Sequence, residues 1–104
     1  MPLTPPYYAV IFISTLGEDI EGYVEMAERM LELARLQPGF LGVESAREET
    51  GITVSFWKDL ESIRQWRDQS EHQVAQELGR SKWYRSYDLH IARVEHHHGF
   101  SRHL

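Results

Sequence analysis

Residues 7–15 read YYAVIFIST, and both alternating sets of this short run are apolar: Ala9, Ile11 and Ile13 on one side, Val10 and Phe12 on the other. Successive side chains of a strand point to opposite faces, so a strand of this composition needs cover above and below. A half-solvated strand would alternate apolar with polar residues instead. The run is also far short of the roughly 20 apolar residues that a membrane-spanning helix requires. Whatever this chain folds into, it must bury one strand twice.

The rest of the chain supplies one layer of cover. MPLTPP, residues 1–6, is a proline-rich lead-in unable to join a helix or a central ladder, and reads as flexible. Ile20, Tyr23, Val24, Ala27, Met30, Leu31 and Ala34 recur at helical spacing, started by Glu18-Asp19 and stopped by Gln37-Pro38-Gly39. Phe40 to Glu48 and Gly51 to Trp57 read as strands joined at Glu49-Thr50-Gly51, a hairpin signal. Asp59 is placed to cap a second helix that runs to about Arg67, with Leu60 and Ile63 as its contacts to the sheet. Asp68-Gln69-Ser70 interrupts it, Ser70 with Gln73 forms a capping-box pattern for a restarted helix, and Gly79 follows Leu78 as a stop. Tyr84 to Val94 alternates as a last strand, and residues 96–104 form a tail without periodicity.

The order β-α-β-β-α-β predicts a ferredoxin-like α+β domain over residues 7–95, with both helices on one face of a four-stranded antiparallel sheet. The other face of the first strand is then uncovered. At about 25 cal/mol per Å² of apolar surface, a face of several hundred Å² is too much to leave wet. A second copy of the sheet is the simplest cover, so a homodimer is expected.

Composition excludes several functions. The 104 residues suit one domain, the net charge is -5, and no Lys/Arg cluster is present to track phosphates, so no nucleic-acid partner is expected. Glu18, Asp19, Glu21, Glu25, Glu28 and Glu32 make an acidic, solvated helix face. Without cysteine there is no disulfide or thiolate chemistry. No basic leader precedes the apolar run, so a cytoplasmic protein with no membrane partner is expected. Neither a glycine-rich nucleotide fingerprint nor a zinc-protease or serine-hydrolase motif occurs.

The candidate site lies in SFWKDLESIRQWRDQSEHQ, residues 55–73. Trp66 falls about 60° beyond Ile63 on a helical wheel, so it either shields the core edge or walls a pocket. His72 sits off the Val74-Ala75-Leu78 stripe, near a positive helix end that favours neutral imidazole. Trp57 alternates with Thr53 and Ser55, opposite Ile52, Val54 and Phe56. Ser86, Asp88 and His90 share one face of the last strand, which is either a polar patch of a cavity or simply wet. In His96-His97-His98 only the outer two can converge and no carboxylate is spaced to join them, so no metal site is expected.

PGFLGVES before the hairpin, the FWKD junction, the Trp66–His72 segment and GRSKWY before the last strand resemble the antibiotic biosynthesis monooxygenase domain family over Tyr7 to Glu95. The resemblance implies a dimeric α+β barrel. It also implies oxidation of polycyclic phenols to quinones by O2 with no bound metal or flavin, hence no cofactor. Related haem-degrading proteins use an asparagine on the first strand, a tryptophan on the second helix and a histidine beyond it. Trp66 matches that tryptophan, but YYAVIFIST holds no asparagine and His72 comes too early.

Together these features lead to an oxygenase acting with O2 on an aromatic or quinol-like small molecule. An acidic C–H or phenol must lose a proton before electrons pass to O2, and a histidine suits that step. His72 is the expected base, with Trp66 beside it as the second catalytic residue. Trp57 stacks the substrate, and Arg47, Tyr84 and Tyr87 are expected to contact an oxyanion. The alternative is a non-catalytic dimer that binds a small ligand or haem, as in a stress-associated protein.

Overall fold

A computed structural model describes residues 3–102. It contains β1 (Tyr7–Leu16), α1 (Tyr23–Arg35), β2 (Phe40–Arg47), β3 (Gly51–Trp57), α2 (Leu60–Asp68), α3 (Ser70–Leu78), a π-helical turn (Gly79–Trp83) and β4 (Tyr84–Val94). The strands form one four-stranded sheet in the order β2-β3-β1-β4. All three neighbouring pairs are antiparallel, as the ferredoxin-like arrangement requires. Within the lead-in and tail, Met1, Pro2, His103 and Leu104 lie outside the described residues, and residues 95–102 carry no helix or strand. No described helix is long and apolar enough to cross a membrane.

Register settles which alternating set meets the helices. Tyr8, Val10, Phe12 and Ser14 lie opposite Trp57, Ser55, Thr53 and Gly51 on β3, and opposite Arg93, Ile91, Leu89 and Tyr87 on β4. Residues directly opposite in an antiparallel pair share a face. This is the helix face, because Trp57 stacks on Trp66 of α2 and Arg47 of β2 lies over Tyr23 of α1. Ile11, Ile13, Ile52, Val54 and Phe56 point the other way, where no helix lies. The doubly apolar β1 therefore has one helical layer only.

Several local expectations shift. α1 begins at Tyr23, because Asp19 Oδ1 accepts from Glu21 N at 3.2 Å and holds a turn through Ile20. Asp59 does cap α2: its Oδ1 accepts from Ser62 N at 2.8 Å and Ser62 Oγ at 2.6 Å, which also holds its carboxyl below the usual carboxylate range. Ile63 is buried as expected. Leu60 is 53% exposed, however, and the second buried position is Ser62, drawn in by the same cap. Gly79 does not stop α3 in a left-handed conformation; its φ is -58° and the chain continues into the π-helical turn.

Candidate functional site

The helix break decides the first half of the site. In an unbroken helix Trp66 and His72 would sit six residues apart, about 240° around the axis. Instead Gln69 adopts an extended conformation and caps α3 with its own side chain, which accepts from His72 N at 2.8 Å. The cap is Gln69, one residue before the expected Ser70. The break also frees the Trp66 carbonyl from the helical ladder, and it accepts from Gln69 N at 3.2 Å and His72 Nδ1 at 2.8 Å.

That bond folds the imidazole back onto the indole. Trp66 and His72 stack at 4.1 Å with planes 12° apart, and Trp57 stacks behind Trp66 at 6.2 Å and 24°. The three residues form one column running from the sheet outward. Trp57 at its base is fully enclosed, donates Nε1 to Ser55 Oγ at 2.9 Å, and meets Phe40 edge-on at 5.4 Å. Trp66 and His72 are half-buried.

The electrostatics of His72 follow from this geometry. A carbonyl only accepts, so Nδ1 carries the proton and Nε2 holds the lone pair of the neutral ring. Burial lowers the histidine pKa below its usual 6.5, opposed by the bond to Trp66. The column thus presents one basic nitrogen, uncharged at neutral pH.

Arg47, Tyr84 and Tyr87 assemble elsewhere. Arg47 ends β2 opposite Gly51. Its Nη1 donates to Ser14 O at 3.4 Å, its Nη2 to Ser14 Oγ, and its Cζ lies 5.7 Å from the Tyr23 ring centroid. A Cβ on Gly51 would land on the guanidinium, so this close packing needs glycine. Tyr84 lies 5.3 Å from Phe12, 5.8 Å from Tyr87 and 5.9 Å from Tyr23, measured between ring centroids. The π-helical turn seats it against Gly79, where a Cβ would come within 2.7 Å of its ring. Burial, and then the neighbouring Tyr23, hold the Tyr84 hydroxyl well above the usual phenol range, so it stays a donor.

These residues do not share one contact shell. Trp57 and Gly51 lie at opposite ends of β3, six positions or about 20 Å apart. The sequence singled out Trp57, Trp66 and His72, and the structure brings all three together. It places Arg47, Tyr84 and Tyr87 together at the far end, joined by Ser14, Tyr23 and Phe12, which sequence reasoning had read only as strand or helix packing. The one available signal was Ser14, where hydroxyls, Ser14 and then Thr15, first follow the apolar run of the strand. Ser86, Asp88 and His90 are exposed on the helix-free face, so they line neither cluster. A shallow depression bounded by Glu44, Ser45, Ala46, Ile52 and Val54 lies at the β2–β3 edge, remote from the column. Among the described residues no three His, Cys, Asp or Glu side chains converge on a metal-sized point.

Comparison with known proteins bears on the family. Residues 6–78 match the model of the antibiotic biosynthesis monooxygenase family. Over 93 residues the chain is 57% identical to the Bacillus subtilis (strain 168) protein YqjZ, covering 88% of this chain and 82% of that one. It is 32% identical over 76 residues to a jasmonate monooxygenase of Pyricularia oryzae, covering 73% of this chain but only 29% of that longer protein. Among solved structures, SnoaB of Streptomyces nogalater, a cofactor-independent oxygenase, superimposes with a TM-score of 0.75 at 13% identity, covering 89% of this chain and 97% of that one. A conserved protein of Methanosarcina mazei Go1 does so with a TM-score of 0.75 at 15% identity, covering 85% and 92%. At such identities the structures share the fold. Family membership rests on the sequence match across most of the domain, and by that match this chain belongs to the antibiotic biosynthesis monooxygenase family.

Proposed function

We propose that this protein is a cofactor-independent monooxygenase of an aromatic or quinol-like small molecule, with His72 as its base. One observation carries the reading: the imidazole is stacked on Trp66 with Nδ1 tied to the Trp66 carbonyl, so the neutral ring offers Nε2 alone. Family membership and the oxygenase activity of relatives support the reaction class.

The chemistry asks little more of the protein. Nε2 takes a proton from the acidic CH2 of a phenol's keto tautomer, or from the phenol hydroxyl itself. The electron-rich anion passes one electron to O2, and the resulting radical and superoxide combine into a carbon-bound peroxide. Breaking the O–O bond with loss of the remaining hydrogen on that carbon gives a C=O and one water. A CH2 has become a carbonyl, giving up four electrons, and both atoms of O2 are accounted for. Trp66, backed by Trp57, is the flat apolar wall against which a planar anion stacks while water is kept from it.

The test uses oxygen uptake with a panel of anthrones and hydroquinones. The wild type consumes one O2 per molecule oxidised, and His72→Ala lowers kcat by about 10²-fold or more. An unchanged rate would remove His72 from the mechanism. No turnover across the panel would favour the ligand-binding alternative.

The helix-free face completes the proposal. Ile11, Ile13, Ile52, Val54 and Phe56 pair two copies face to face into a barrel, each contributing its own column. Sedimentation at micromolar concentration should then give about twice the 12.2 kDa chain mass. A monomer at that concentration would remove the barrel.

A further inference from the structure

Arg47 stands apart from the other arginines. Arg29, Arg64, Arg67, Arg80 and Arg93 are exposed and each pairs with a carboxylate, and Arg35, Arg85 and Arg102 have no such pair among the described residues but stand exposed in water. Among the described arginines Arg47 alone is not exposed, and it pairs with no carboxylate among the described residues. Arg47 is half-buried, and a cation partly withdrawn from water is ordinarily found paired.

Its donors are also incompletely used. A guanidinium has five N–H donors in a planar fork. Ser14 takes one from each terminal nitrogen, through its carbonyl and its hydroxyl. Nε makes no hydrogen bond to a described residue, and no described side-chain nitrogen or oxygen is both enclosed and unpartnered, so Nε is reachable from outside. The fork is therefore fixed by Ser14, Gly51 and Tyr23, yet still has donors to offer. Tyr23, over which the guanidinium lies, also packs edge-on against Tyr84 at 5.9 Å, and Tyr84 is a phenol that stays protonated.

We propose that this end of the helix face binds the carboxylate of a ring-bearing, apolar monocarboxylic acid, with Arg47 supplying the charge-assisted hydrogen bonds and Tyr84 a neutral one. Arg80, beside Tyr87, is already paired with Glu77, so the one guanidinium without a carboxylate matches one negative charge, and a chain of net charge -5 is poorly suited to polyanions. The surrounding rings of Phe12, Tyr23 and Tyr87 suit an apolar body attached directly to the acid. From there the body follows the helix face over Phe12 and Leu89 toward Val10 and Ile91, where the β4 side chains are half exposed, at 51% for Leu89 and 49% for Ile91. That direction leads toward the column. The inference rests on the oxygenase reading only in making this acid its substrate; the binding site stands without it.

The probes are 2-naphthoate, its neutral isostere 2-naphthamide, and inorganic phosphate, titrated calorimetrically into the full chain. Wild type should bind naphthoate about tenfold or more tightly than naphthamide, as expected for hydrogen bonds to a charged group. Arg47→Gln should abolish that preference, with circular dichroism confirming the fold. Gly51→Ala keeps the charge but pushes the guanidinium from its seat, and should reduce the preference if Arg47→Gln fails to fold. His72→Ala should leave it intact. The proposal is overturned if naphthoate does not bind, if it binds no better than naphthamide, or if phosphate displaces it at equal concentration. Survival of the preference in Gly51→Ala, or in folded Arg47→Gln, overturns it too. Turnover lost in His72→Ala without any carboxylate preference would leave the oxygenase reading standing alone. A preference without turnover would leave the acid site standing alone.

Discussion

The two ends of the helix face are both built from aromatic rings, but they dispose of their polar atoms in opposite ways. At the Trp57 end two donors are spent internally, Trp57 Nε1 on Ser55 and His72 Nδ1 on the Trp66 carbonyl, while the Trp66 indole N–H makes no hydrogen bond to a described residue. What remains on the imidazole is an acceptor, the His72 Nε2 lone pair. At the Arg47 end Ser14 takes only part of a guanidinium, and Tyr84 keeps its proton. What remains there is a set of donors. One end can take a proton and the other can hold an anion. The devices differ as well, since a helix break builds the first and close packing against glycines shapes the second.

The largest expected effect tests the rigidity of the column. Trp57 is fully enclosed, so Trp57→Ala should cost about 3–5 kcal/mol in denaturant unfolding. An exposed-residue value below about 0.5 kcal/mol would mean the column does not rest on the core. His72→Ala comes next, with its loss of about 10²-fold in kcat at modest cost in stability. Its pH dependence sharpens the contrast between the ends. The folded pKa of His72 lies below the ordinary 6.5, so protonation favours the unfolded chain. Stability from this group is present above the unfolded value and lost as pH falls toward and through the folded one. The acid limb of kcat/KM should therefore fall below pH 6.5, and a limb above it would contradict the buried, neutral imidazole.

At the other end, Gly79→Ala drives a methyl against the Tyr84 ring. The overpacking should cost about 1–3 kcal/mol. It should also weaken naphthoate binding while sparing the pH profile of His72. An equal effect on both would show that the two ends are not separable. The smallest effect is expected from deleting residues 96–104. Phe100 is 81% exposed, and stability should change by less than about 1 kcal/mol in the same unfolding measurement.

Much of the fold was legible because it depends on periodicity. Two-sided apolarity marked β1 as central, Asp59 announced its helix, and Glu49-Thr50-Gly51 closed its hairpin, all through backbone preferences that act over a few residues. Leu60 misled because helical spacing assigns a stripe without knowing how far the sheet extends beneath it. Ser62, held by Asp59, took the buried place instead.

The candidate site divides along the same line. Sequence alone determined that Trp57, Trp66 and His72 were available near a helix break, since composition and local breakers are written in the chain. Only the tertiary structure decided that the freed Trp66 carbonyl would capture the imidazole and stack all three rings. It likewise decided that Arg47 would meet Ser14 and Tyr23, residues 33 and 24 positions away in the chain, on the far end of the same face. Register between strands fixes such meetings, and register is set by the packing of the whole sheet rather than by any short stretch of it.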